Sequence, residues 1–273
     1  MKKCRADERL VHQLNLPSLA LAQALIMEGR VMSGDRKILR ASEPVRMDEV
    51  LRVRGEIDAY VSRGAHKLKR ALDAFGISLG GAICVDVGCS TGGFTDVMLR
   101  AGAARVYAVD VGYNVLDYRL RSDARVVCME RTNARFLKPE DFDPRPSFGA
   151  TDVSFISLKA ILPAALGALA PGGRFVALVK PQFEAAKEEV GEKGVVRDPA
   201  VHARVLEEML AFVPTLGWRV SGLDFSPIRG PEGNIEFLMD LRQDGGESLE
   251  PEVAQTVVRA AYDKFIKSSP GDL

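Results

Sequence analysis

Short apolar runs alternate with helix-length or loop-length segments over the larger, carboxyl-terminal part of the chain. The runs cover residues 83–87, 106–109, 126–129, 149–153 and 175–179. Strands that are apolar along their whole length and alternate with helices are typical of a parallel sheet covered on both faces. Residues 217–225 and 235–241 are predicted to pair as a hairpin at one edge of that sheet. The pattern predicts an α/β domain whose ligands bind at the carboxyl ends of the strands.

The amino-terminal part of the chain has a different pattern. Apolar residues at helical spacing predict two short helices, residues 7–14 and 18–28, followed by strand-like pieces that break at Ser33-Gly34-Asp35. The predicted helices share one apolar seam made of Leu10, Val11, Leu14, Leu19, Ala22, Leu25 and Ile26. We therefore expect a small α+β module over residues 1–55, a linker at residues 56–60 and the larger domain over residues 61–273.

Composition narrows the choice of partners and compartment. Lys plus Arg and Asp plus Glu number 37 each among the 273 residues, so net charge gives no argument for nucleic acid. The four cysteines include no Cys-x-x-Cys pair, and Cys84 and Cys128 lie in predicted buried strands, so we expect reduced structural thiols, no metal site and a cytoplasmic location. No export signal or membrane-length apolar run is present in the sequence, and no membrane partner is expected.

A glycine-rich loop follows the first predicted strand of the larger domain. It reads Asp86-Val87-Gly88-Cys89-Ser90-Thr91-Gly92-Gly93-Phe94 and lacks both the Gly-x-Gly-x-x-Gly of dinucleotide folds and the Gly-Lys-Ser/Thr of phosphate loops. Asp110, at the end of the second strand, stands where an acid binds ribose hydroxyls. These features favour S-adenosylmethionine, which has a ribose and no phosphate. The alternative is a tight strand-to-helix turn followed by a surface Asp.

Four polar residues, Lys67, Asp152, Lys180 and Glu236, are the candidate catalytic group. The last three lie at or near the ends of apolar runs, where the side chains of a parallel sheet meet. Together with the loop they suggest methyl transfer to an unactivated hydroxyl. Taken singly, each has a plain alternative: a Lys near a strand end is usually a solvated charge, and Asp-Val-Ser at a strand end is often a helix cap.

The chain resembles the TlyA-type ribosomal RNA 2′-O-methyltransferases, relatives of the FtsJ/RrmJ enzymes, some members of which are called hemolysin A. The resemblance spans most of residues 61–241. Its matching stretches are Val61-Ser62-Arg63-Gly64-Ala65-His66-Lys67-Leu68, residues 86–95, Asp152-Val153-Ser154-Phe155-Ile156-Ser157-Leu158, Leu178-Val179-Lys180-Pro181-Gln182-Phe183-Glu184 and Gly233-Asn234-Ile235-Glu236-Phe237.

The resemblance implies a Rossmann-like, S-adenosylmethionine-dependent methyltransferase domain with a Lys-Asp-Lys-Glu tetrad. Lys180 would lie nearest the ribose hydroxyl and either stabilise the alkoxide or take the proton, Asp152 and Glu236 would orient the lysines, and Lys67 would add positive charge. The implied cofactor contacts are Asp86, Gly88, Ser90, Gly92, Gly93, Phe94, Asp110 and Asn133. Asn133 departs from the wider group, which often has an acid at that position, and Phe94 is equally compatible with a core role.

The amino-terminal module resembles the RNA-binding domain named after ribosomal protein S-four. Its second helix opens with Leu-Pro-Ser instead of the usual basic residues, so the phosphate contacts fall to other positions. The candidate RNA contacts are Arg5, Arg9, Arg30, Arg36, Lys37, Arg40, Arg63 and His66. The alternative for the module's basic residues is that they are scattered solvated charges. The alternative for His66 is a structural role. Residues 184–198 form either a flap over the substrate or a solvated loop.

The leading hypothesis is methylation of a ribose 2′-hydroxyl, with cytidine implied, in ribosomal RNA or ribosomal subunits by a monomer or weak dimer. One alternative is a membrane-lytic protein, which the name hemolysin would suggest. Another is an RNA-binding ribosome assembly factor that retains the fold without catalysis. The competent residues at all tetrad positions argue against this last possibility.

Overall fold

The computed structural model describes residues 3–14, 16, 19–55 and 60–267, and the chain divides into two compact units, Met1–Val61 and Ser62–Leu273. Apart from Tyr60, the predicted linker at residues 56–60 lies outside the described residues. No helix in the described ranges is long and apolar enough to cross a membrane.

The first unit combines two helices with small antiparallel sheets. Its elements are β1 (Lys3–Arg5), α1 (Ala6–Leu14), α2 (Leu19–Met27), β2 (Val31–Ser33), β3 (Arg36–Lys37), β4 (Pro44–Arg46) and β5 (Leu51–Val53). Strand β2 lies between β3 and β5, and β1 pairs with β4. The seam between α1 and α2 buries Leu10, Leu25 and Ile26.

Leu19 was wrongly predicted to join this seam. It is the first residue of α2 and 41% exposed, because the buried part of the helix begins one turn later at Ala22. The predicted start of this helix, Ser18, is outside the described residues.

The second unit is built on one seven-stranded sheet. Its elements are α3 (Ala65–Ala74), β6 (Ile83–Val87), α4 (Gly93–Arg100), β7 (Arg105–Val109), α5 (Tyr118–Arg121), β8 (Val126–Met129), β9 (Phe148–Thr151), α6 (Leu158–Gly167), β10 (Arg174–Val179), α7 (Pro181–Glu184), α8 (Pro199–Phe212), β11 (Arg219–Phe225), β12 (Phe237–Arg242) and α9 (Val253–Tyr262). Short 3₁₀ turns connect several of them.

The strand order is β11-β12-β10-β9-β6-β7-β8. Strands β10, β9, β6, β7 and β8 pair in parallel, whereas β12 pairs antiparallel with both β10 and β11. The predicted mainly parallel sheet with an antiparallel edge hairpin is therefore confirmed. Since β12 runs against its neighbours, its amino end reaches the edge where the parallel strands end. Val179 faces Phe237 in the register, so the adjacent residues Lys180 and Glu236 meet at that edge.

Helices cover both faces of the sheet. On one face Phe175 and Val179 of β10 pack with residues of α6 and α8 such as Leu162 and Leu206. On the other side α3 contacts β12, and α4 contacts β6 and β7. Burial on both faces explains why the central strands are apolar throughout their length.

Cys128 was wrongly predicted to be buried. It lies on β8, the strand at the outer edge of the sheet, and is only partly covered. Cys84, on the central strand β6, is buried. All four cysteines, Cys4, Cys84, Cys89 and Cys128, are free thiols.

Candidate active site

The glycine-rich loop turns sharply between β6 and α4. Gly88 has φ +81°, and a Cβ there would lie 2.9 Å from Val153 Cγ1. Gly92 has φ +96° and caps α4, where a Cβ would approach Leu120. Residues other than glycine rarely adopt positive φ angles. Because glycine also lacks a Cβ, the loop keeps its backbone open to a ligand. It follows the strand that has β7 on one side and β9 on the other, which is the switch point of the sheet.

Asp86 supplies a buried carboxylate beneath this loop. Its Oδ2 accepts hydrogen bonds from Thr95 N at 2.8 Å and Thr95 Oγ1 at 2.7 Å. Its Oδ1 is buried and has no hydrogen-bond partner among the described residues. Burial raises the pKa of Asp86 to about 7. An unpaired buried acceptor is unfavourable unless a ligand supplies a donor, and the ammonium group of S-adenosylmethionine fits this requirement.

Asp110 follows β7 and is oriented by backbone donors. Its Oδ2 accepts from Ser90 N at 2.8 Å, and its Oδ1 accepts from Gly112 N at 2.7 Å. Each carboxylate oxygen can accept a further hydrogen bond, so Asp110 retains capacity for ribose hydroxyls. The contact with Ser90 also fixes the tip of the glycine-rich loop.

Two adjacent cavities meet at this edge of the sheet. One, of about 500 Å³, is lined by Asp110, Asn133 and Ile156 among others, and the second, of about 270 Å³, is lined by Asp86, Phe94 and the lysines of the tetrad. Both are lined by Gly88, Ser90, Asp152 and Ser154. The larger cavity has room for an adenosine group, and the smaller one has room for a methionyl group.

Two predicted cofactor residues have additional structural roles. Asn133 Oδ1 accepts from Arg135 N at 3.1 Å and so caps the turn Ala134–Phe136, which leaves its amide NH₂ group for a ligand. Phe94 is 3% exposed at the start of α4 and also lines the smaller cavity, so the core and the cavity share this side chain. Gly93 lies close to Ser62, where a Cβ would approach the serine oxygen.

Lys67, Asp152, Lys180 and Glu236 come together as a chain of ion pairs. Lys180 Nζ lies 2.6 Å from Asp152 Oδ1, and Asp152 Oδ2 lies 3.1 Å from Lys67 Nζ. Lys67 Nζ is 2.7 Å from Glu236 Oε2. We call this series the ion-pair chain. Asp152 bridges the two lysines with its two oxygens, and Glu236 holds the far end.

The positions of the four residues follow from the fold. Asp152 and Lys180 directly follow the parallel strands β9 and β10, and Glu236 directly precedes the antiparallel strand β12. Lys67 lies in the first turn of α3, which contacts β12. Strand β9 ends at Thr151, two residues earlier than its apolar run predicts, and Asp152 is therefore at the edge instead of within the sheet.

Burial and mutual charge set the electrostatics of this group. Burial by itself lowers the pKa of Lys67, but the charges of Asp152 and Glu236 outweigh it and raise that pKa. Burial acts to raise the pKa of Asp152, yet Lys67 and Lys180 hold it below its ordinary value. Burial raises the pKa of Glu236 despite the attraction of Lys67. Lys67 and Asp152 are therefore held in their charged forms.

Glu236 is fully buried beneath a neighbouring loop. A Cβ on Gly230 would clash with Glu236 Oε1, so only glycine fits there without rearrangement. Sequence patterns gave no signal for Gly230, Arg229 or Ser154, which also line the smaller cavity. Ser154 lay within a stretch that carried the family resemblance, but a single serine after a strand is indistinguishable from a helix cap.

The segment 184–198 is fixed near both ends. Glu184 accepts hydrogen bonds from Ser157 Oγ at 2.6 Å and Leu158 N at 2.7 Å. Asn234 Oδ1 accepts from Val196 N at 3.2 Å, and Asn234 Nδ2 donates to Gly194 O at 3.0 Å. The segment is therefore anchored near both ends, while residues 186–188 and 191–194 are exposed, and Asn234 connects it to the loop that carries Glu236.

Several predicted RNA contacts of the first unit already have acidic or carbonyl partners. Arg5 pairs with Asp7, Arg30 with Glu28, and Arg36 with Glu43 and Glu49. Arg9 Nε donates to Glu49 O at 3.0 Å. Lys37 and Arg40 are exposed and form no ion pair among the described residues.

In the second unit, Arg63 and His66 lie in different surroundings. Arg63 is exposed and lines the smaller cavity, whereas His66 is partly buried in the first turn of α3.

Comparison with known proteins identifies the relatives of this chain. Residues 60–243 match the family of FtsJ-like methyltransferases. A Bacillus subtilis protein with the provisional name rRNA methyltransferase YqxC is 47% identical over 277 residues, covering 100% of this chain and 98% of that protein. The 16S/23S rRNA (cytidine-2′-O)-methyltransferase TlyA of Mycobacterium tuberculosis is 42% identical over 264 residues, covering 96% of this chain and 98% of TlyA. The solved structure of a Streptococcus thermophilus protein provisionally named a hemolysin has a TM-score of 0.79 and 45% identity, with 98% of each chain covered.

The buried carboxylate of Asp86 gives a test of cofactor binding. Asp86→Asn is expected to weaken S-adenosylmethionine binding by about 10- to 100-fold, because a hydrogen bond to a charged group contributes about 1.5–3 kcal/mol. In the wild type the affinity should fall as the pH decreases through about 7, where Asp86 takes up a proton. Isothermal titration calorimetry measures both effects. Asp73→Asn, an exposed carboxylate on α3, is the control, and equal affinities for Asp86→Asn and the wild type would contradict the assignment.

Proposed function

Because the chain belongs to the FtsJ-like methyltransferase family and uses S-adenosylmethionine, we propose that it methylates a ribose 2′-hydroxyl in ribosomal RNA. The related TlyA of Mycobacterium tuberculosis is named a 16S/23S rRNA (cytidine-2′-O)-methyltransferase, which supports ribosomal RNA as the substrate and cytidine as the nucleoside. We further propose that the protein acts in the cytoplasm on ribosomal RNA or ribosomal subunits, as a monomer or weak dimer.

The observation that carries this proposal is the position of the ion-pair chain. Lys180 and Asp152 line the smaller cavity together with Asp86, and Asp152 also lines the larger one. A hydroxyl entering beside Lys180 would therefore lie next to the cofactor site. Holding the hydroxyl and the methyl donor side by side lowers the barrier to methyl transfer, because their relative position is fixed before the reaction.

The chemistry requires a weakly acidic hydroxyl to become a nucleophile. The bound cofactor supplies an electrophilic methyl group. As the oxygen–carbon bond forms, the hydroxyl proton passes to solvent water, and the ammonium of Lys180 stabilises the transient negative charge on the oxygen at short range. The methyl group would leave its sulfonium sulfur, which would become a neutral thioether. Asp152 fixes that ammonium at 2.6 Å. Lys67, held by Asp152 and Glu236, keeps the orienting carboxylate in place and adds positive charge to the site.

For the first unit we propose an RNA-binding role of limited electrostatic strength. Three of its candidate arginines, Arg5, Arg30 and Arg36, are paired with acids of the same unit, and phosphate contacts need basic groups that are not already neutralised. Lys37 and Arg40 are the candidates best placed to contribute. No contact among the described residues favours the membrane-lytic alternative. A methyl-transfer assay distinguishes a catalytic enzyme from a non-catalytic assembly factor.

Removal of the Lys180 ammonium tests the reaction and its centre together. Wild-type protein should transfer radiolabelled methyl groups from S-adenosylmethionine to purified ribosomal subunits, with the label on a ribose. Lys180→Ala should reduce the rate by about 10²–10³-fold, as expected for loss of a donor to a developing oxyanion. Lys159→Ala, which removes an exposed lysine paired with Glu208, should retain the wild-type rate.

Two outcomes would contradict this proposal. Absence of label on both subunits, despite measurable cofactor binding, would exclude ribosomal RNA as the substrate. Equal methyl-transfer rates for Lys180→Ala and the wild type would show that Lys180 does not act in the reaction. In a separate assay, equal support of ribosome assembly by both proteins would favour the assembly-factor alternative.

The double variant Lys37→Ala with Arg40→Ala tests the RNA-binding role of the first unit. We expect weaker binding to ribosomal RNA and a shallower dependence of log affinity on log salt concentration, reduced by about one for each lost phosphate contact. Filter binding over a series of salt concentrations measures this slope. Arg46→Ala, which removes an arginine paired with Asp48, is the control. An unchanged slope for the double variant would show that these two residues do not contact phosphates.

A further inference from the structure

Ser154 contacts the ion-pair chain and has no role in capping a helix. It follows Asp152 by two residues, after the end of β9. The cap of the next helix, α6, is Ser157, whose Oγ accepts a hydrogen bond from Lys159 N at 3.1 Å. The usual structural explanation for a serine between a strand and a helix therefore applies to Ser157 and leaves Ser154 without one.

The hydroxyl of Ser154 is bound to Lys180. Lys180 Nζ donates to Ser154 Oγ at 2.8 Å and lies 2.6 Å from Asp152 Oδ1. An ammonium group has three donors: Ser154 Oγ accepts one, and Asp152 Oδ1 lies at ion-pair distance, which leaves an N–H for a substrate oxygen. Ser154 is exposed and lines both cavities, whereas Lys180 is 6% exposed. The serine thus stands at the junction of the two cavities, with its oxygen turned to the lysine.

The two lysines of the ion-pair chain are held in different ways. Lys67 lies between two carboxylates, Asp152 at 3.1 Å and Glu236 at 2.7 Å. Lys180 lies between one carboxylate and a neutral hydroxyl. A second carboxylate in place of the hydroxyl would offset more of the positive charge of Lys180. A neutral acceptor restrains the ammonium group while leaving that charge available to a developing oxyanion.

We propose that Ser154 is a positioning residue that directs the remaining N–H of Lys180 towards the methyl-accepting hydroxyl. This role rests on the proposed function. Asp152 alone restrains the ammonium at one point, about which the flexible lysine side chain can rotate. The Ser154 oxygen adds a second point and fixes the direction of the third donor. Loss of this contact should slow the chemical step and leave binding of the cofactor and of the RNA unchanged.

Three substitutions of Ser154 separate hydrogen bonding from packing. Ser154→Ala removes the acceptor, Ser154→Cys keeps a similar volume with a weak acceptor, and Ser154→Thr keeps the hydroxyl. We expect kcat for methyl transfer to fall about 10-fold or more with Ala and Cys, in the range of a lost hydrogen bond to a charged group. Thr should restore much of the rate. The KM for RNA and the dissociation constant for S-adenosylmethionine should change by less than about twofold. This is well below the change expected when a hydrogen bond to a charged group is lost.

A second readout is independent of RNA. In full-length protein labelled with nitrogen-15 on lysine, NMR can follow exchange of the Lys180 ammonium protons with water. Exchange should be faster in Ser154→Ala and Ser154→Cys than in the wild type and Ser154→Thr. Ser122→Ala, an exposed serine that donates to Tyr118 O, is the control for both measurements.

Each outcome decides the proposal. A wild-type rate for Ser154→Cys together with a slow Ser154→Ala would show that only the volume of Ser154 matters. Wild-type rates for both, or unchanged ammonium exchange, would overturn the positioning role. If the wild type transfers no methyl group to RNA, the proposed function fails, and the exchange measurement alone still shows whether Ser154 restrains Lys180.

Discussion

The burial of four charged groups at one edge of the sheet is the constraint on which the site depends. Lys67, Lys180 and Glu236 are each less than 10% exposed, and Asp152 joins the two lysines through its two oxygens. Two positive and two negative groups offset one another, but removal of any one leaves an uncompensated charge in a poorly hydrated place. The ion-pair chain is therefore unlike a surface salt bridge, whose contribution to stability is small. It persists because each member has a partner within about the distance of a charge-assisted hydrogen bond.

The fold supplies these partners from separate elements that meet at this edge. Two parallel strands deliver Asp152 and Lys180, and an antiparallel strand delivers Glu236 from the opposite chain direction. The glycine-rich loop lies beside them at the switch point, where Gly88 approaches Val153 closely. The same backbone thus forms a wall of the cofactor cavity and the base of the ion-pair chain. In the proposed function, cofactor binding and placement of Lys180 would depend on this same stretch of backbone, which would fix the two reactants relative to each other.

Much of the fold was predictable because its central strands are buried on both faces. The run at residues 83–87 was predicted with the bounds that the structure has, since an apolar run ends where the strand leaves the core. The run at residues 126–129 was also predicted with the right bounds, although it forms the partly covered edge strand β8. Glu236 was singled out by resemblance, but its proximity to Lys67 depends on the antiparallel course of β12. Ser154 and Gly230 had no signal of their own, because their roles arise from contacts with residues distant in sequence. The pairing of Arg36 with Glu43 and Glu49 was likewise invisible without the turns that bring them together.

A double-mutant cycle on Asp152 and Lys180 tests most directly whether the ion-pair chain acts as a unit. The rate of methyl transfer would be measured for Asp152→Asn, Lys180→Met and the double variant, with cofactor saturating. Residues that act together are strongly non-additive, so the double variant should be little slower than the slower single variant. Rate losses that multiply in the double variant would show that the two side chains contribute independently, and would contradict a reaction centre built on their contact.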